Sequence, residues 1–163
     1  MDYQSRARLL GLPLIHIATG EQVDGGYRRG IAKGWIAVGD VAVGVLFGAG
    51  GLATGAVCVG GIAAGGLALG GLAMGLAAVG GLAFGLLAVG GAALGGSGAL
   101  GGLAIAGEFA RGGVALAFHA NDLSADEYFN GHPFFRSATL LVQYSMALVA
   151  LAFVIARLAR RSR

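Results

Sequence analysis

Small and apolar residues alternate with glycine on a five-residue beat from Gly30 to Gly95, and the rest of the chain is arranged around that stretch. A unit close to Gly-Leu-Ala-x-Gly recurs thirteen times there, with one extra residue. It is cleanest at Gly66-Leu67-Ala68-Leu69-Gly70 and Gly71-Leu72-Ala73-Met74-Gly75. The third place is Ala at 32, 37, 42, 53, 63, 68, 73, 78, 83, 88 and 93, with Phe47 and Cys58 as exceptions. The fifth place is Gly at 34, 39 and 44 and at every fifth position from 55 to 95. After an irregular step at 96–101 the pentads resume at 102–106, 107–111 and 113–117. A fixed period of this kind predicts a repeat architecture.

Polar residues are placed as tellingly as apolar ones. From Val41 to Gly107 no residue is charged, and only Thr54, Cys58 and Ser97 carry polar side-chain atoms. Charged residues make up 12% of the chain, against roughly 25% in ordinary soluble domains. An apolar run of this length presented to water makes a patch far above a few hundred Å², so the sequence predicts lipid as the solvent of residues 30–118. Glycine, 33 of 163 residues, shows no three-residue period, which excludes collagen. The scarcity of polar residues excludes a disordered linker.

Two architectures suit such a run. A bundle of glycine-rich transmembrane helices is the alternative, because Gly and Ala allow close helix packing. Residues five apart on a helix lie about 140° apart, so the glycines would wind around it rather than form a seam. Serial spans also need polar loops, and 41–107 has none. The preferred expectation is a β-solenoid in which each pentad forms one short side and a glycine turns the corner at positive φ. Stacked coils satisfy one another's backbone groups, as the bilayer interior demands.

In this period the chain resembles the pentapeptide-repeat family, whose right-handed quadrilateral coils use four pentads per turn. The resemblance covers 30 to about 117, without the family's Ala-Asp/Asn-Leu-x-x pattern and without its polar outer surface. It implies about four coils of twenty residues, roughly 20 Å at one strand spacing per coil. The stretches Gly34-Trp35-Ile36-Ala37-Val38-Gly39-Asp40 and His119-Ala120-Asn121-Asp122 are also similar to stretches of uncharacterised glycine-rich bacterial membrane proteins, a likeness that implies no activity.

The flanks complete the expected organisation: a mainly β, membrane-embedded solenoid with one C-terminal transmembrane α-helix. Residues 1–29 form a cytoplasmic or interfacial cap, with Pro13 interrupting any helix. Residues 119–136 form an extracytoplasmic polar and aromatic linker with turn chemistry at Asn130-Gly131-His132-Pro133. Residues 137–157 are apolar and of spanning length. Arg160, Arg161 and Arg163 in the 158–163 tail place both termini in the cytoplasm by the positive-inside rule. An inner-membrane location follows. Trp35 and Tyr27 suit an interfacial aromatic belt.

Within the pentads, strand alternation puts the second and fourth places on one face and the third on the other. The near-constant small third place predicts a narrow packed interior, and the varied fourth place predicts lipid exposure. No cleavable signal peptide is expected from the first ten residues.

Candidate chemistry is sparse. His119, Asp122, Asp126, Glu127 and His132 are of the types that ligate metals or carry protons, but their spacing matches no ligand motif, and a solvated cap over the last coil serves equally. Asp40 is a carboxylate in the first-place column, within reach of Lys33 or Arg29, and reads as a capping pair or an ion site. Cys58 fills an alanine column. The glycine density yields G-x-G-x-x-G matches by chance, without the alternating strands and helices of a dinucleotide fold. The net charge of +3 sits at the chain ends, not on a stripe, so nucleic acid is not an expected partner. Neither an enzyme nor a cofactor is expected. The residues point to a structural, scaffold or accessory subunit presenting rigid apolar walls to lipid, to partner helices of other membrane-protein subunits, or to further copies of itself. A small transport, channel or lipid-handling protein is the alternative.

Overall fold

The structure is a computed structural model and describes residues 2–5, 7–23 and 26–144. Short strand pairs come first: β1 (Asp2–Gln4), β2 (Arg8–Leu9), β3 (Leu12–Pro13), β4 (Ile15–Ala18), β5 (Glu21–Val23) and β6 (Gly26–Arg28). The repeat follows as one unbroken β segment, β7 (Ile31–Ala106), then β8 (Phe109–Leu116) and β9 (His119–Ala120). Helix α1 spans Leu123–Gly131, and a second helix, α2, occupies 133–144. The chain is thus mainly β, as the period predicts.

β7 is 76 residues long and would run about 250 Å if extended at 3.3 Å per residue. It winds instead. Gly50, Gly60, Gly70, Gly80, Gly90, Gly101 and Gly112 each lie against the carbonyl of Gly39, Gly50, Gly60, Gly70, Gly80, Gly90 and Gly101 respectively. The chain therefore returns beside itself every ten or eleven residues. The parallel pairing of β8 with the end of β7, Gly98↔Phe109 through Ile105↔Leu116, and of β9 with β8 continues the same step. These eight layers and seven steps stand about 34 Å tall at 4.8 Å per step.

The expected membrane-embedded solenoid of four twenty-residue coils is thereby corrected. Two pentads, not four, fill each layer, and no quadrilateral turn of the pentapeptide-repeat kind forms. One wall carries pentads 51–55, 61–65, 71–75, 81–85 and 91–95; the other carries 56–60, 66–70, 76–80 and 86–90. Their third places face each other in one buried cluster, Ala53, Ala63, Ala73, Ala83 and Ala93 against Cys58, Ala68, Ala78 and Ala88. Only methyl-sized groups fit between walls this close. Cys58 is enclosed there, its Sγ 3.5 Å from the Leu67 carbonyl, and burial pushes its thiol pKa up.

The glycines are needed for a different reason from the one expected. Among the described residues, the only glycine at positive φ is Gly11, in the two-residue Leu10-Gly11 turn between β2 and β3. The fifth-place glycines are excluded from bearing a side chain by space: a Cβ on Gly60, Gly65, Gly70, Gly80 or Gly90 would collide with the backbone carbonyl oxygen of the layer before. At the first place a Cβ would stand 3.0 Å from that carbonyl at Gly61, Gly71 and Gly91, and at the same pentad place on the other wall the sequence has Ala56, Leu76 and Leu86.

Both ends of the stack are closed. At the first layer β4 pairs in parallel with β7, Ile15↔Ile36 through Ala18↔Gly39, and β1 covers β4 in antiparallel register. His16 is buried there, its Nδ1 accepting from the Lys33 amide at 2.8 Å. Trp35, expected in an interfacial belt, donates its indole N–H to the Leu9 carbonyl at 2.9 Å. At the far end Asn121 accepts from the Gly112 amide and donates to the Gly112 carbonyl, both at 2.9 Å, standing in for a further strand. It does so from a left-handed backbone, φ 53, which Asn tolerates better than most residues. Asn121→Ala is expected to lower stability by about 1–2 kcal/mol, through two lost hydrogen bonds and the left-handed backbone. Asn121→Gly recovers only the backbone share, so its urea midpoint falls between those of wild type and the alanine variant.

The expected transmembrane helix at 137–157 is not found as such. No described helix is long and apolar enough to cross a membrane. The first part of that segment lies within α2, whose Phe135 and Ala138 are buried against the second wall beside Val79 and Val89; residues 145–157 lie outside the described residues. An apolar face that reads in sequence as a lipid contact is here a packing contact with the repeat. The expectation of an integral inner-membrane protein with both termini cytoplasmic, drawn from the charge-free repeat and this span together, is corrected with it.

Candidate functional site

The helices and the far end of the stack meet along the fourth-place column of the second wall, Leu69, Val79, Val89 and Leu100. Asp122 starts α1 by accepting from the Ala125 amide at 2.7 Å, an N-cap. The same carboxyl pairs with His119 Nδ1 at 2.8 Å. The Ala125 amide, then His119, holds Asp122 below the usual carboxylate range. A carboxyl with a depressed pKa contributes stability above its unfolded value and loses it as pH falls through the folded one, so this cap weakens only in acid. Pro133 opens α2 at the position where a missing N–H costs nothing. It also keeps His132 extended, φ −84 and ψ 120, which makes the corner between the two helices that Asn130-Gly131-His132-Pro133 predicts.

Aromatic rings fasten this corner to the stack. Phe109 of β8 stacks on Tyr128 at 4.2 Å and on His119 at 5.3 Å. Phe135 meets Phe129 edge-on at 4.6 Å. The rings sit over Gly98 in the irregular step: a Cβ there would come within 2.8 Å of Phe135 and 3.0 Å of Tyr128. Gly98, lacking a side chain, thus leaves room for two rings in the irregular step. Ser97 beside it donates to Glu108 Oε2 at 2.7 Å.

Under the corner is a cavity of about 600 Å³, and Arg111 from β8 and Arg136 from α2 both line it. Leu100, Phe129, Phe135 and Leu140 supply apolar lining, and Asn130 and Thr139 polar lining. Arg111 reaches Asp126 through its Nε at 3.2 Å, and Thr139 donates to the Phe135 carbonyl at 2.8 Å.

The six residues singled out from sequence are divided among separate places. His119 and Asp122 form a bonded pair, Asp126 holds Arg111, and Glu127 and His132 line a second, more open cavity of about 480 Å³. Among the described residues no group of three or more His, Cys, Asp or Glu is placed to hold a metal ion. Asp40 lies at the opposite end, where its Oδ2 accepts from the Gly20 amide at 3.1 Å and the Gly30 amide at 3.2 Å, closing the neck of the β5–β6 hairpin. Arg29 lines the same cavity as Asp40. Sequence reasoning passed over Arg111, Arg136 and the ring cluster. The available signal was the density of rings at 128, 129, 134 and 135 on either side of the Asn130-Gly131-His132-Pro133 turn, after an Asp at 122 placed to cap a helix.

No family model, curated protein or solved structure matches the chain, so the likeness to pentapeptide repeats rests on the five-residue period alone.

Proposed function

We propose that the chain is a structural interaction module whose rigid β stack offers a flat apolar wall to a helix of a partner protein. The observation that supports this reading is the unequal cover of its two walls. The second wall carries the chain's own helices on its fourth-place column. On the first wall Leu52, Ile62 and Leu82 at the second place and Met74 at the fourth stand exposed. No charged residue occupies the outward second and fourth places of this wall from Leu52 to Leu116. An apolar face of that extent marks an interaction surface, and the chain itself displays an occupant that the repeat accepts: a helix presenting small and aromatic residues.

The test uses a synthetic peptide of residues 133–163, labelled and titrated into the full chain by fluorescence anisotropy. Binding weakened about tenfold or more, 1.4 kcal/mol, by Leu82→Glu with Met74→Glu supports the reading, provided the variants keep the wild-type circular dichroism spectrum. Binding that these substitutions leave unchanged sinks it. So does concentration-dependent self-association that the same substitutions abolish, because the occupant is then a second copy.

A further inference from the structure

We infer that the cavity between the stack and the two helices is a binding site for an aliphatic carboxylate, an anion head on an unbranched apolar tail. The inference does not rest on the helix-docking reading, since the cavity is built wholly from the chain's own elements and lies on the opposite wall. Three observations carry it. The first is size: about 600 Å³ is within the range of small-molecule sites, roughly 300–1,000 Å³. The second is charge. Arg111 and Arg136 both line the cavity, and Arg111 also reaches Asp126, just outside that lining. Among the described residues, two guanidiniums against one carboxylate leave an excess of one positive charge at this cavity. The Asp126 contact engages only Nε of Arg111, whereas a guanidinium carries five N–H donors suited to a planar carboxylate. The third is the division of the lining, with Leu100, Phe129, Phe135 and Leu140 supplying apolar surface beside these cations. A bare anion leaves that surface wet, and a neutral hydrocarbon leaves the second cation without a counter-charge. A ligand with one charged end and one apolar end satisfies both.

The decisive measurement is isothermal titration of the full chain with decanoate, 1-decanol and acetate, all below their aggregation limits. Decanoate is expected to bind at one site per chain, and both 1-decanol and acetate at least about tenfold more weakly, because a charge-assisted hydrogen bond and the buried tail each contribute more than that factor. Arg136→Gln is expected to weaken decanoate about tenfold or more while leaving 1-decanol unchanged, and Arg136→Lys to recover part of the loss. Arg136 is exposed on α2, so its replacement leaves the fold intact, as an unchanged thermal midpoint without ligand will show. Equal binding of decanoate and 1-decanol, no binding of decanoate, or decanoate affinity indifferent to Arg136→Gln each overturn the assignment.

Discussion

Gly70→Ala is expected to destabilise the chain by about 3 kcal/mol or more, at the upper end of what a small overpacking substitution costs. The added methyl would collide with the backbone carbonyl oxygen of Gly60, and a backbone atom within a ladder has no rotamer by which to step aside. Relief requires lifting one layer from the next, which stretches the hydrogen bonds on both sides of the new methyl. Gly71→Ala, one residue later, is the control. Its Cβ would stand 3.0 Å from the Gly61 oxygen, a contact that a shift of a few tenths of an ångström relieves. The lower entropy of the unfolded chain offsets that by about 0.4–1 kcal/mol, so this variant should unfold within about 1 kcal/mol of wild type. The comparison of urea midpoints reads how closely the fifth place approaches the layer before. Equal losses for the two variants would contradict the closer approach of Gly70 to the carbonyl of the layer before.

That pair also shows what the sequence discloses and what it conceals. The five-residue period and the inward third place are legible because a column that is alanine everywhere but Phe47 and Cys58 suits a narrow interior. The coil size is concealed. A five-residue period does not state how many pentads make a turn; the two found here bring two alanine-lined walls together. The fifth-place glycine is visible as a requirement, yet its cause, a carbonyl one layer away, depends on that same turn number. The solvent of the repeat misleads for a related reason. Leu69, Val79 and Val89 read as lipid-facing in a charge-free run, but α1 and α2 cover them, and composition does not distinguish a bilayer from a neighbouring helix. α1 is hidden because Leu123–Gly131 offers Ser124, Asp126, Glu127 and Asn130 with no apolar stripe of its own; only Asp122 and the rings that follow mark it. The acids and histidines attract attention as chemical types, whereas the cavity depends on Arg111 and Arg136, which lie twenty-five positions apart and meet only once the corner has folded.

The corner itself should be the second most sensitive place. Phe135 is 1% exposed and contacts Phe129, Tyr128 and the floor at Gly98. Phe135→Ala is expected to cost about 3–5 kcal/mol, the range for emptying a buried aromatic site. The loss should appear as early release of α2, because the alanine-lined interior does not include this ring. A helical signal melting before the β signal in circular dichroism would show it. Gly98→Ala attacks the same contact from below: its methyl would meet Phe135 Cζ at 2.8 Å and Tyr128 Cε1 at 3.0 Å. Rings at the end of a rotatable bond yield more readily than a carbonyl in a ladder, so this substitution should cost only about 1–2 kcal/mol. The two changes share one space and will not add. Once Phe135 is alanine the methyl at 98 has room and fills part of the vacated volume. The double variant is therefore expected to be no less stable than Phe135→Ala alone, a coupling of about 1–2 kcal/mol, within the range for residues in contact. Additive losses in the double-mutant cycle would mean that the ring does not rest on Gly98, and that the irregular step at 96–101 serves something other than seating the helices.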